Sequence, residues 1–148
     1  MAIEVEMTFQ EQIIEFVRAF GLHRPDQTPC GEPISVAEAH ALMELSRHEG
    51  LSQKGLGQWL RLEKSTVSRL VSILERKGWV TRTHSAQDGR LHEHYLTEEG
   101  RRISQQLARA REQKFARILT KLPEDQRVPV TQALQKLIEA IYESEQHA

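Results

Sequence analysis

Apolar residues recur every three to four positions in six stretches of the chain, separated by polar, glycine-bearing or proline-bearing segments. The first stretch opens on the capping box Thr8-Phe-Gln-Glu11, continues through Phe9, Ile13, Phe16/Val17 and Phe20, and meets a stop at Gly21, which predicts a helix over roughly 8–20. His23 to Pro33 holds Pro25, Pro29, Gly31 and Pro33 and reads as a loop. A second capping box, Ser35-Val-Ala-Glu38, opens a helix to about Arg47 with Val36, Ala39, Leu42/Met43 and Leu45 on its apolar side. Ser52 caps a short helix with Leu56, Trp59 and Leu60 expected to face inward. Gly55 and Gly57 weaken it by about 1 kcal/mol each relative to alanine. A longer helix follows from Glu63 or Lys64 to Lys77, with Val67, Leu70/Val71 and Leu74 as its core stripe and Gly78 just beyond its end.

At Trp79 the period changes. Trp79–His84 and Leu91–Leu96 are rich in β-branched, aromatic and histidine residues, and Ser85–Arg90 between them carries an Asp-Gly turn signal, so the pair reads as a hairpin. Thr97 then caps a long helix with Ile103, Leu107, Ala110, Lys114/Phe115 and Ile118, ended by Leu122-Pro123. A last helix carries Val130, Ala133/Leu134, Leu137/Ile138 and Ile141/Tyr142, and Pro129 is expected to kink or delay it. The fold class is mainly α with a small β-hairpin, and 148 residues make a single domain.

Composition excludes several functions. No apolar run reaches 18 residues and the first ten residues are acidic, so neither a membrane span nor a signal peptide is expected and the location reads as cytoplasmic. The single cysteine, Cys30, gives no internal disulfide and no CxxC framework for a metal. Neither a Ser/His/Asp order, a phosphate-binding glycine loop, HExxH nor paired carboxylates at catalytic spacing is present, so no enzyme and no cofactor is expected. The net charge of −1 is uninformative until it is divided. Between Leu51 and Arg90 stand eight basic residues and three acids, +5, which leaves 12 − 18 = −6 for the rest. A basic block inside an acidic frame points to a polyanion.

That block coincides with two short helices, a brief turn and a hairpin, the order of a winged helix-turn-helix. The outer face of the second helix carries Ser65, Thr66, Ser68, Arg69 and Ser72, short donors able to reach phosphates and base edges in a major groove about 12 Å wide. Arg90 on the hairpin turn suits a narrow minor groove, whose negative potential attracts arginine. The competing readings are a solvated helix face, or a winged helix that binds only protein. Double-stranded DNA is the partner the charge favours. The amphipathic terminal helices carry more apolar surface than one small winged lobe covers, which calls for a second copy of the chain.

The residues also resemble a known family. Ile34-Ser-Val-Ala-Glu-Ala-His-Ala-Leu-Met-Glu-Leu45, Leu51-Ser-Gln53, Glu63-Lys-Ser-Thr-Val-Ser-Arg-Leu-Val71, Leu74-Glu-Arg-Lys-Gly-Trp-Val80, Asp88-Gly-Arg90 and Leu96-Thr-Glu-Glu-Gly-Arg101 are similar to the MarR family of transcriptional regulators. The resemblance implies a winged helix-turn-helix lobe over about 34–100, with residues 1–22 and 101–148 pairing two subunits on a pseudo-palindromic operator, most often as a ligand-responsive repressor. It places Ser65, Thr66, Ser68 and Arg69 against DNA and Arg90 on the wing, and it gives Asp88 the work of steadying an arginine, for which Arg82 is the candidate. Gly89 departs from the pattern, standing where many members carry another arginine.

Such regulators respond to a signal, and three features are candidates for the receiver, with no metal site expected. Cys30 is a candidate thiol switch, although nothing basic lies nearer in sequence than Arg24, and a half-buried loop residue is the alternative. Metal sensing by His40 with Cys30 and Glu38 lacks the histidine-rich fifth helix that the metal-responsive branch carries, and His84, His92 and His94 form a second, looser cluster whose favoured reading is solvent-facing or phosphate-facing wing side chains. The favoured receiver is a cleft for a small apolar or aromatic acid lined by Phe16, Phe20, His40, Met43 and Trp59, with core filling as its alternative.

Overall fold

The computed structural model describes residues 1–146. Six helices and one hairpin follow in the order α1 (Ala2–Phe20), α2 (Val36–Arg47), α3 (Gln53–Leu60), α4 (Lys64–Arg76), β1 (Val80–His84), β2 (His92–Leu96), α5 (Glu98–Lys121) and α6 (Glu124–Glu145). The chain divides into two compact units at Ala110.

In the first unit, local chemistry sets the helix ends. Ser35 Oγ accepts from the Glu38 amide at 3.1 Å and Ser52 Oγ accepts from the Gly55 amide at 3.0 Å, each satisfying one of the N–H groups that a first turn leaves over. The Ser35 hydroxyl also donates to the Glu38 carboxylate at 3.0 Å, a side-chain contact in place of the carboxylate-to-amide bond of a full capping box. Thr8 does not cap: α1 starts at Ala2, and the Thr8 hydroxyl donates back to the Glu4 carbonyl at 2.9 Å, the habit of a threonine inside a helix. Gly21 ends α1 in the left-handed region, with the amides of Gly21 and Leu22 returning to Val17.

Leu42, Leu45, Leu56, Val67, Val71 and Leu74 form the fully buried centre, where α2, α3 and α4 meet beneath the hairpin residues Val80 and Leu96. Trp59 does not join them: it is 55% exposed and lies flat against the His48 ring at 4.4 Å, because Leu56 takes the inward position of this two-turn helix. Gly57 explains the tight turn between α3 and α4. A Cβ there would stand 3.1 Å from the Leu62 carbonyl and 3.3 Å from Val67, and the Gly57 carbonyl accepts the Leu62 amide.

The hairpin pairs antiparallel, Val80 with Leu96 through His84 with His92. Leu51 bridges to His94, so the loop after α2 adds a third short edge. The start of α5 rests on the α4–β1 turn: Thr97 Oγ1 donates to the Gly78 carbonyl at 2.6 Å and accepts the Gly100 amide at 3.0 Å.

In the second unit the end of α5 is followed by α6, which begins directly after Pro123 and runs unbroken through Pro129. The proline does not delay the helix. Its missing N–H removes only the bond to the Asp125 carbonyl, two residues into the helix. Neither α1 nor α6 buries a single residue. Among the described residues no helix is long and apolar enough to cross a membrane.

Gly100 sets the sharpest steric limit, since a Cβ there would lie 2.0 Å from the backbone oxygen of Trp79. Gly100→Ala is therefore expected to destabilise the lobe by at least about 1–3 kcal/mol. A urea midpoint unchanged from wild type would contradict this packing.

Candidate nucleic-acid interface

α4 turns Val67, Leu70, Val71 and Leu74 inward and leaves Ser65, Thr66, Ser68, Arg69 and Ser72 exposed, which places all five residues expected from the sequence on one outer surface. Among the described residues, no hydrogen bond or ion pair engages the side chains of Ser65, Thr66, Ser68 or Arg69. Ser72 differs, because its hydroxyl donates to the Ser68 carbonyl at 2.9 Å. Glu63 occupies the N-cap without a side-chain hydrogen bond, so the N-terminal amides of α4 stay open at the positive end of the helix dipole.

Between α3 and α4 a cleft of about 480 Å³ is lined by Gln53, Lys54, Gly57, Gln58, Leu62, Lys64 and Val67. Its polar members escaped the motif reading. The signal was the charge count, to which Lys54 and Lys64 contribute and which no spacing rule assigned to a face. The fold draws two other cations of the block away: Lys77 pairs with Glu38 and lies over the Trp79 ring at 4.8 Å, and Arg82 pairs with Glu75 at 3.6 Å.

That last contact corrects the expected role of Asp88. Asp88 Oδ1 accepts the Arg90 amide at 3.0 Å, while Arg82 reaches across to α4. The hairpin register is the cause, for Arg82 stands opposite His94 near the lobe and Asp88 lies in the loop beyond the strands. Hydrogen bonds within the loop go beyond the Asp-Gly turn signal. Ser85 and Leu91 close it, Ser85 Oγ accepts the Gln87 and Asp88 amides, and Gly89 has no need of a positive φ. Arg90 is exposed at its end.

The wing histidines separate. His94 is only 1% exposed, against the surface position expected for it, and its Nδ1–H donates to the Leu51 carbonyl at 2.8 Å. Its Nε2 is buried with no partner among the described residues. Burial lowers its pKa below the ordinary 6.5, outweighing the Leu51 hydrogen bond and the charge of Glu75, while the charges of Arg82 and His92 add to the lowering.

Of the expected effector residues, Phe16 and Phe20 lie together. Phe16, 50% exposed, stacks on Phe20 at 5.6 Å, Trp59 stacks on His48, His40 is exposed and Met43 is half-buried. None of the five lines the α3–α4 cleft, nor a second one of about 410 Å³ whose apolar wall is Ile34, Trp79, Ile103 and Leu107. Cys30 is half-buried in a loop that Thr28 closes by accepting the Glu32 amide at 3.1 Å. Among the described residues no group of three or more histidine, cysteine or acidic residues could hold a metal ion.

Comparison with known proteins agrees with this geometry. The sequence profile of the MarR family matches residues 33–91. The chain is 27% identical over 110 residues to the HTH-type transcriptional regulator PapX of Escherichia coli, a match covering 74% of this chain and 61% of PapX. In fold it is similar to the transcriptional regulator PcaV of Streptomyces coelicolor, solved with its natural ligand (TM-score 0.69, 22% identity, 90% of this chain and 91% of PcaV). It is equally similar to FabT of Streptococcus pneumoniae, solved with DNA (TM-score 0.69, 22% identity, 96% of this chain and 94% of FabT).

The environment of His94 makes stability depend on pH. The folded protein keeps this imidazole neutral at a pH where the unfolded chain, titrating near 6.5, has taken up a proton. The unfolded state then binds more protons, so this contribution is complete above about pH 6.5 and drains away as the pH falls below it. His94→Asn keeps a donor for the Leu51 carbonyl without titrating. The gap in urea midpoint between about pH 7.5 and 5.5 is expected to narrow in the variant. An equal gap in both proteins would refute the assignment.

Proposed function

Because residues 33–91 match the MarR family profile, we propose that this chain is a sequence-specific double-stranded DNA-binding transcriptional regulator of that family that acts as a homodimer on a pseudo-palindromic operator. The observation that carries the reading is the outer face of α4, where Ser65, Thr66, Ser68 and Arg69 are exposed and unengaged on a helix whose other face is locked into the core. In this reading α4 enters the major groove. Arg69 donates to a guanine edge or a phosphate, the hydroxyls reach phosphates and bases, and Lys54 and Lys64 hold the backbone beside the α3–α4 cleft. Arg90 enters the minor groove, held out by the Asp88 bond to its own amide. Arg82 serves by fixing the wing to α4 through Glu75.

Residues 34–100 form the DNA-binding lobe, and the terminal helices form the dimer. Met7, Phe9, Ile13 and Phe16 on α1, and separately Leu134, Ile138 and Ile141 on α6, are exposed in the single chain, and association buries the apolar face of each helix. The operator-bound dimer represses by occupying the promoter, and a small apolar or aromatic acid releases it. The effector changes DNA affinity only by as much as it prefers one spacing of the two α4 helices over another. The family match and the DNA and ligand named for FabT and PcaV support this reading.

Light scattering should give the mass of two chains, and Ile138→Glu should shift it toward one. Operator selected from random DNA should bind with a modest salt slope, because the +5 block is already partly paired within the lobe. Arg90→Ala should weaken binding to all sequences and lower the slope by about one, whereas Arg69→Ala should cost about 1–3 kcal/mol on the preferred sequence and relax its choice of base. Equal binding by wild type and both variants would overturn the proposal.

A further inference from the structure

One face of the hairpin runs from the core out into solvent. Val80 and Leu96 are buried, His94 is buried opposite Arg82, and the face emerges at the pair His84 and His92, exposed and half-buried. Nothing in the proposed contacts with DNA uses this pair. Their ring centroids lie 4.6 Å apart with the planes tilted by 49°.

The tautomer of His84 is set. Its Nδ1 stands 2.9 Å from the Gly89 carbonyl, which can only accept, so Nδ1 carries the proton and Nε2 of the neutral ring keeps its lone pair. A backbone carbonyl orienting one nitrogen while the other is left bare is the usual preparation of a histidine for a metal. The spacing agrees. With bonds of about 2.0–2.1 Å, two imidazoles on one zinc ion have centroids about 4.5–5.2 Å apart for bond angles from about 90° to 109°.

We propose that His84 and His92 form a two-histidine site for a zinc-like divalent cation on the wing. No third histidine, cysteine or carboxylate joins them among the described residues, so water completes the coordination and the site is weaker than a closed four-ligand one. Imidazole selects zinc, copper or nickel over magnesium and calcium, which favour oxygen. Because Ser85 and Leu91 close the loop immediately beyond the pair, a bound ion clamps the outer end of the hairpin, at the root of the segment that carries Arg90. The inference concerns cation binding alone and stands apart from whether the wing meets DNA.

Titration of the full chain with zinc, followed by calorimetry and by imidazole nitrogen shifts in NMR, should show one equivalent whose binding moves Nε2 of His84 and a ring nitrogen of His92. Magnesium should have no effect. His84→Gln and His92→Gln, checked by circular dichroism for an unchanged fold, should each weaken zinc at least about tenfold, and His40→Gln should not. Zinc that binds undiminished in the double variant, or no zinc bound by wild type, would overturn the site.

Discussion

The carbonyl of Leu51 accepts two hydrogen bonds from one residue, the His94 amide at 2.9 Å and the His94 ring at 2.8 Å. The Gly50 amide donates in return to the His94 carbonyl at 3.1 Å. A two-stranded hairpin by itself is marginal in water, and these bonds give it a third edge in the loop between α2 and α3. Val80 and Leu96 can then close the core over Leu42, Leu45 and Leu74, and α4 is held between the hairpin and α3. The cost is a buried imidazole with one nitrogen unpartnered among the described residues, tolerated because the neutral ring leaves a lone pair there and not an N–H.

The same lobe sorts its charges. Glu38 and Glu75 hold Lys77 and Arg82, which are thereby used to join helix to helix and wing to helix. Both pairs are half-exposed, so each is worth little in stability and more in orientation. Among the cations left outward are Lys64 and Arg69 on α4, Lys54 beside the α3–α4 cleft and Arg90 on the wing loop.

Several features were legible because they are local. Ser35 and Ser52 were readable as caps, and Val67, Leu70, Val71 and Leu74 as a stripe, since helix ends and amphipathic faces depend on residues within a few positions. Thr8 misled because its capping box was matched by pattern while the residues before it were helix formers that extended α1 to Ala2. Trp59 misled because hydrophobicity alone puts tryptophan inside, and an eight-residue helix with one fully buried position, Leu56, has no room for it.

The sequence by itself determined the order of helices and hairpin, the basic block from Leu51 to Arg90, the outward set on α4 and the resemblance carried by its motifs, because each is written in spacings of a few residues. Only the tertiary structure decided which partner each charged or imidazole group meets. Arg82 went to Glu75 and not Asp88, and Asp88 to the Arg90 backbone. His94 went to the core and His84 to His92. Those pairings depend on strand register and on the contact between hairpin and α4, and a register shift of one residue would exchange every face.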